Sequence, residues 1–181
     1  MQETIDLESE RRRLLKNGVL SAIFSSAVLM VGYLVLPRFM DLPDDSHGAL
    51  VFAIRASTFV LFWLVIAVRM VSRARLRSAQ DISGSAFGSP SPATAIKVAF
   101  LQNTLEQVVL TVGAYLVLGT LIKGDSLSLV ATSAVLFGIG RIFFFQGYPG
   151  GAGSRSFGMV TTMLPTVVGY CWAIYLILIT L

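Results

Sequence analysis

The sequence predicts an all-α membrane protein with five transmembrane helices, and three observations predict it. Of 181 residues, 55% are hydrophobic and only 13% are charged, whereas a soluble domain carries about 25% charge to coat its surface. Mean hydropathy is +0.76. The apolar residues fall into five long runs with short connections, which leaves no room for a separate soluble catalytic domain. Disordered, collagen-like and disulfide-rich secreted chains are excluded by the same composition. The single cysteine, Cys171, lies in an apolar run and reads as a small buried or lipid-facing side chain.

Gly18 to Leu36 is uncharged, is stopped by Pro37, and spans roughly 28 Å as a helix. Its apolar stretch is too long, and the preceding segment too acidic, for a cleaved signal peptide, so a retained signal anchor is expected. Ala49 to Val68 is the second run, with Arg55 inside it and Arg69 at its end. Val98 to Ile122 is the third, bracketed by Lys97 and Lys123 and interrupted only by Glu106. Ser126 to Gln146 carries Arg141 near its far end, and Ser156 to Leu181 has no charge. Between them, Asp81 to Pro92 (DISGSAFGSPSP) reads as a flexible stretch. Tyr148 to Ser154 (YPGGAGS) reads as a tight connection, without the lysine and spacing of a phosphate-cradling loop. The short turn Gly124 to Ser126 makes the third and fourth helices antiparallel neighbours. No internal repeat supports a transporter of inverted halves.

Orientation follows from the basic residues. Arg11, Arg12, Arg13 and Lys16 precede the first helix; Arg69, Arg73, Arg75, Arg77 and Lys97 flank the connection between the second and third. Arg141 and Arg155 flank that between the fourth and fifth. These regions share one side of a five-span chain and hold eleven of its fourteen Lys and Arg residues. The N-terminus is expected in the cytoplasm and the C-terminus outside. The net charge of +4 therefore orients the chain, and no nucleic acid is expected as a partner. An ordinary signal-anchor start without organelle signals favours a bacterial inner membrane.

The informative residues are those that a membrane helix avoids, since a central charge costs roughly 2.5–3.5 kcal/mol on insertion scales. Gln102, Asn103 and Glu106 share one face of the third helix and are expected to look into the bundle or a wet cavity. Arg141 and Tyr148, seven apart on the fourth helix, also share a face. Glu106 and Arg141 are natural partners. The bland reading stands beside this: buried Asn, Gln and Glu glue membrane helices together, Arg155 is an orientation charge, and Tyr148 is an interfacial anchor. His47, the only histidine, sits beside Asp44 and Asp45 in a solvated turn, and no metal site is expected.

Phe100 to Gln107 (FLQNTLEQ), Gly140 to Tyr148 (GRIFFFQGY) and Arg155-Ser156, in that order, resemble the family of membrane-associated proteins in eicosanoid and glutathione metabolism, MAPEG. The resemblance covers helices two to five and makes the first helix an addition. It divides the chain into a cytoplasmic segment (1–17), an extra helix with its outer loop (18–47) and a MAPEG-like four-helix domain (48–181). It implies a homotrimer that holds glutathione, as co-substrate, between neighbouring subunits at the cytoplasmic side. It also implies that Gln102, Asn103, Glu106, Arg141 and Tyr148 line that pocket, and that Arg69 or Arg73 meets a glutathione carboxylate. Arg155 matches the arginine that stabilises the thiolate, with Ser156 as a second donor. The chemistry is direct: an anionic peptide needs guanidinium forks, and a nearby cation lowers a thiol pKa. The chain departs from the family at Ala99, where many members carry arginine, at Phe144, where a polar or hydroxylated side chain is usual, and at Met159 in place of a tyrosine.

The expected function is a glutathione-dependent transferase or peroxidase acting on a hydrophobic electrophile dissolved in the lipid bilayer. A non-enzymatic lipid- or ligand-binding protein on the same scaffold is the alternative. A small channel or proton-coupled transporter titrating at Glu106 is a third class.

Overall fold

Five helices follow in order: α1 (Leu7–Val35), α2 (Ser46–Arg75), α3 (Pro92–Leu121), α4 (Leu127–Gln146) and α5 (Gly151–Thr180). The computed structural model describes residues 6–84 and 86–180. All five helices are long and apolar enough to cross a membrane, and the protein is all-α and membrane-integral. Cys171 faces outward from the bundle.

Several helices run past their apolar segments. α1 begins at Leu7 because the Asp6 carboxylate caps it, accepting from the Glu8 amide at 3.1 Å, and Glu10 to Lys16 are good helix formers. Asp45 caps α2 in the same way, accepting from the Gly48 amide at 2.8 Å. α3 starts on Pro92, whose fixed φ suits a first turn. α5 starts at Gly151, inside the stretch expected to be a turn. The connection shrinks to a 3-10 turn at Tyr148–Gly150 because Gly151 makes the reversal at φ +82°.

The two ends of the stretch from Asp81 to Pro92 are tied together. The Asp81 carboxylate accepts from the Ser91 amide at 2.8 Å, the Ser91 hydroxyl at 2.6 Å and the Thr94 hydroxyl at 2.9 Å. It thereby caps α3, whose own N-cap Ser91 makes no side-chain capping bond. The Ser91 hydroxyl, then the Ser91 amide, hold the Asp81 carboxyl well below the usual carboxylate range.

Helix packing follows the small residues, since lipid offers no hydrophobic drive between helices and close contact must supply it. A Cβ at Gly119 of α3 would come within 2.7 Å of the Ala53 Cβ on α2. One at Gly158 of α5 would collide with the Phe144 amide nitrogen of α4, and one at Gly140 with the Thr162 hydroxyl. So α3 lies close along α2, and α4 along α5. Helices α3 and α4, despite their short turn, meet mainly through side chains such as Ser133, which donates to the Tyr115 hydroxyl at 2.7 Å. The seam between α1 and α5 is polar and small: the Ser21 hydroxyl donates to the Phe157 carbonyl at 2.8 Å and pairs with the Thr161 hydroxyl at 2.7 Å. Further along, Gly32 of α1 leaves room only for the Thr132 side chain of α4.

Gly158→Ala should lower stability by about 1–3 kcal/mol, because backbone cannot yield as a side-chain tip does; unfolding in detergent measures this. Asp81→Asn should speed amide exchange at Ser91 and in the first turn of α3. Because the folded-state pKa of Asp81 is depressed, its contribution is fully present above the unfolded value of about 3.9. It is lost only as pH falls through the lowered folded value, so wild-type protection at Ser91 should persist at mildly acid pH.

Candidate functional site

The crossing of α4 and α5 at Gly140 and Gly158 turns the next residue, Arg141, into the bundle. Its side chain is fully buried. Nη1 donates to the Asn103 side-chain oxygen of α3 at 2.8 Å, while Nε and Nη2 donate to the Thr162 hydroxyl of α5 at 3.3 and 2.9 Å. Rings complete its surroundings: the guanidinium carbon lies 4.8 Å from the Phe144 centroid and 5.6 Å from that of Phe137. A cation out of water must be solvated by protein dipoles and ring faces, and here both are present.

One turn on, the ring of Phe144 meets that of Tyr148 edge to face at 5.4 Å. The Arg155 guanidinium lies 4.5 Å above Tyr148 and 5.9 Å from Phe144. Phe144 thus stands between two guanidiniums. Phe100 of α3 packs on Phe144 at 6.3 Å and on Phe145 at 5.0 Å, and Ala67, Met70 and Met159 close the cluster. Among the described residues neither Arg141 nor Arg155 has a carboxylate within ion-pair distance. Arg155 and Tyr148 are half-buried at the rim.

The expected pair of Glu106 with Arg141 is not formed. Glu106 accepts from the Gln102 side-chain amide at 2.9 Å, and both lie on the exposed surface of α3. Asn103, three residues earlier, takes Arg141 instead. Three residues of helix leave a rotation of about 60° between side chains, enough to put Asn103 at the bundle edge and Glu106 outside it. Gln102, Asn103 and Glu106 therefore do not look inward together. Ser156 is buried, and its hydroxyl donates to the Gly153 carbonyl at 2.7 Å. Arg69 and Arg73 are both exposed. Only Arg73 borders a groove of about 330 Å³, shared with Arg77, Lys97 and the hydroxyl-bearing Ser91 and Thr94. Met70 belongs both to that groove and to the aromatic cluster.

The sequence profile of the MAPEG family matches residues 50–175. The chain belongs to the MAPEG family. It is also 24% identical over 166 residues to Transmembrane protein 79 of Mus musculus, an alignment covering 92% of this chain. The chain spans 42% of that relative's length. No solved structure matches. The MAPEG match holds every candidate residue from Arg69 to Ser156, while α1 lies ahead of it. Only fifteen residues of the chain fall outside the alignment with Transmembrane protein 79, so that likeness reaches into α1.

Two residues of this cluster are not among the site residues that the sequence pointed to. Thr162 supplies the oxygen that two Arg141 nitrogens need. Its signal was present, because Arg155, Gly158 and Thr162 recur at the spacing of one helical face. Phe144 looked like a departure from the family, yet its ring is shared by both guanidiniums, a role that only the folded arrangement reveals. Thr162→Val should cost about 3 kcal/mol and Asn103→Ala about 2 kcal/mol, because each strands a buried guanidinium donor. Unfolding in detergent checks both; unchanged midpoints would mean that Arg141 is solvated in some other way.

Proposed function

We propose that this MAPEG protein takes glutathione as co-substrate and acts as a transferase or peroxidase on a hydrophobic, membrane-dissolved electrophile. The observation that carries this reading is the pair of guanidiniums around the Phe144–Tyr148 rings, neither facing a carboxylate among the described residues. Such a cluster attracts an anionic peptide and stabilises a thiolate. Arg155 takes the catalytic role, since its half-buried guanidinium stands at the rim, in reach of a ligand. Tyr148 forms the floor beneath it. Arg141 acts through Asn103: by holding the Asn103 oxygen, it leaves the amide nitrogen to face the ligand. Arg73, on a groove joined to the cluster by Met70, fits a glutathione carboxylate better than Arg69 does. Ser156 shapes the turn, because its hydroxyl is already committed to Gly153.

Glu106 and Gln102 supply the second argument. A carboxylate exposed in the middle of a span is disfavoured against lipid, so another copy of the chain covers it. The homotrimer implied by the resemblance does this and places the glutathione pocket between copies. We place the N-terminus and the arginine cluster on the cytoplasmic side, where the charge asymmetry sets them. Residues 48–181 then form the MAPEG-like domain. In the reaction the stabilised thiolate attacks the electrophilic atom while the departing group takes the bonding electron pair. Arg155 holds the sulfur's negative charge until that bond forms.

One observation favours the non-enzymatic ligand-binding reading: with Arg141 buried and Ser156 internally bonded, Arg155 is the only cation of the cluster left at the rim. Calorimetry with glutathione on detergent-purified protein, beside turnover assays with lipophilic electrophiles, separates the two. Arg155→Ala should cut turnover by about 100- to 1000-fold, as loss of a charge-stabilising donor does, with little change in affinity. Glu106→Gln should weaken binding. Absence of binding at millimolar glutathione would contradict the enzyme reading.

A further inference from the structure

The helix that the MAPEG match omits touches the part of the chain that bears Arg155. The Glu10 carboxylate of α1 accepts from the Gly153 amide at 2.9 Å. The Asn17 side-chain amide, two turns along α1, donates to the Gly153 carbonyl at 2.8 Å. That same carbonyl accepts the Ser156 hydroxyl at 2.7 Å. The two peptide units that meet at Gly153 are therefore both held: the N–H of the first by Glu10, and the C=O of the second, which is also tied forward to Ser156, by Asn17. Arg155 is two residues on, and its Nε donates to the Gly151 carbonyl at 3.4 Å.

This turn needs an outside hold. Gly150, Gly151 and Gly153 open it, and glycine restricts the backbone least. The first amides of any helix also lack partners within it. Glu10 supplies an acceptor and a negative charge where the helix dipole favours one. The fit is close: a Cβ at Gly153 would lie 2.7 Å from the Arg13 Cβ and 3.2 Å from the Glu10 carboxylate. Arg13 in turn steadies Glu10 at 3.8 Å.

We propose that α1 is a positioning arm for Arg155, with Glu10 and Asn17 gripping the two peptide units either side of the Gly153 Cα and so fixing the guanidinium over the Tyr148 ring. Its catalytic consequence rests on the function proposed above; the grip itself does not. Neither residue touches a ligand; both act through the turn. The Ser21–Thr161 contact with α5 and the Gly32–Thr132 contact with α4 lie further along α1 and keep it docked when the grip is removed.

The test compares Glu10→Ala, Asn17→Ala and Glu10→Gln in the full chain. Amide exchange over 153–156 should rise roughly three- to tenfold in each alanine variant, the size of one lost hydrogen bond. It should stay near wild type in Glu10→Gln, which keeps an acceptor oxygen. The Nε–H resonance of Arg155, shifted by the ring beneath it, should move toward that of a solvated arginine in the alanine variants only. With glutathione and an electrophile, kcat should fall by a similar factor while glutathione affinity holds, the signature of lost positioning. Unchanged exchange, or exchange that rises while the Arg155 resonance stays put, would overturn the proposal. Wild type that binds no glutathione would sink the proposed function alone, and exchange and resonance would still decide on the arm.

Discussion

A guanidinium with no access to water has to be solvated by the protein that surrounds it, and Arg141 imposes that condition on the whole cluster around it. It draws an oxygen from Asn103 on α3, another from Thr162 on α5, and ring faces from its own helix. Three helices are thereby tied at one point. The tie is possible only because glycine stands at both sides of the α4–α5 crossing, where any Cβ would strike backbone or the Thr162 hydroxyl. Without that approach Arg141 could not reach Thr162, and Phe144 would not fall between the two guanidiniums.

The two arginines have divided their work. Arg141 is surrounded by protein on every side and orders Asn103, Phe144 and, through it, Tyr148. Arg155 rests on the surface this creates and keeps one side open. The charge-stabilising role proposed for Arg155 requires a rigid support and a charge that is not neutralised. The glycine-rich start of α5 works against rigidity, and the bonds from α1 to Gly153 offset it. The likeness to Transmembrane protein 79 extends into α1, ahead of the residues that the MAPEG profile matches.

Much of the fold was legible because a long apolar run has few other fates. The five spans, and the gathering of Asn103, Arg141, Tyr148 and Arg155 at one end, follow from charge placement and counting turns. Helix ends were less legible. Asp6 caps a helix that starts before its apolar run, and Asp81, at the near end of a Ser-, Gly- and Pro-rich loop, caps the helix at its far end. Partner choice was least legible. Glu106 and Arg141 satisfy every rule of charge and depth, but the rotation between Asn103 and Glu106 decides which of them meets the guanidinium. That rotation depends on where α3 leans, and α3 leans on α2 through Gly119 and Ala53. α3 and α4 are neighbours, but they meet through side chains rather than close backbones, since a short turn sets chain direction and small residues set distance.

The proposed glutathione pocket has two walls, the exposed Gln102–Glu106 surface and the Arg155 rim, and is completed by a second copy of the chain. A structure of the protein in lipid nanodiscs with saturating glutathione tests this most directly. The expected result is a trimer with the Glu106 surface covered by a neighbour, and peptide density reaching from it to Arg155. A monomer with Glu106 facing lipid, or a trimer whose Arg155 rim stays empty at saturation, would contradict it.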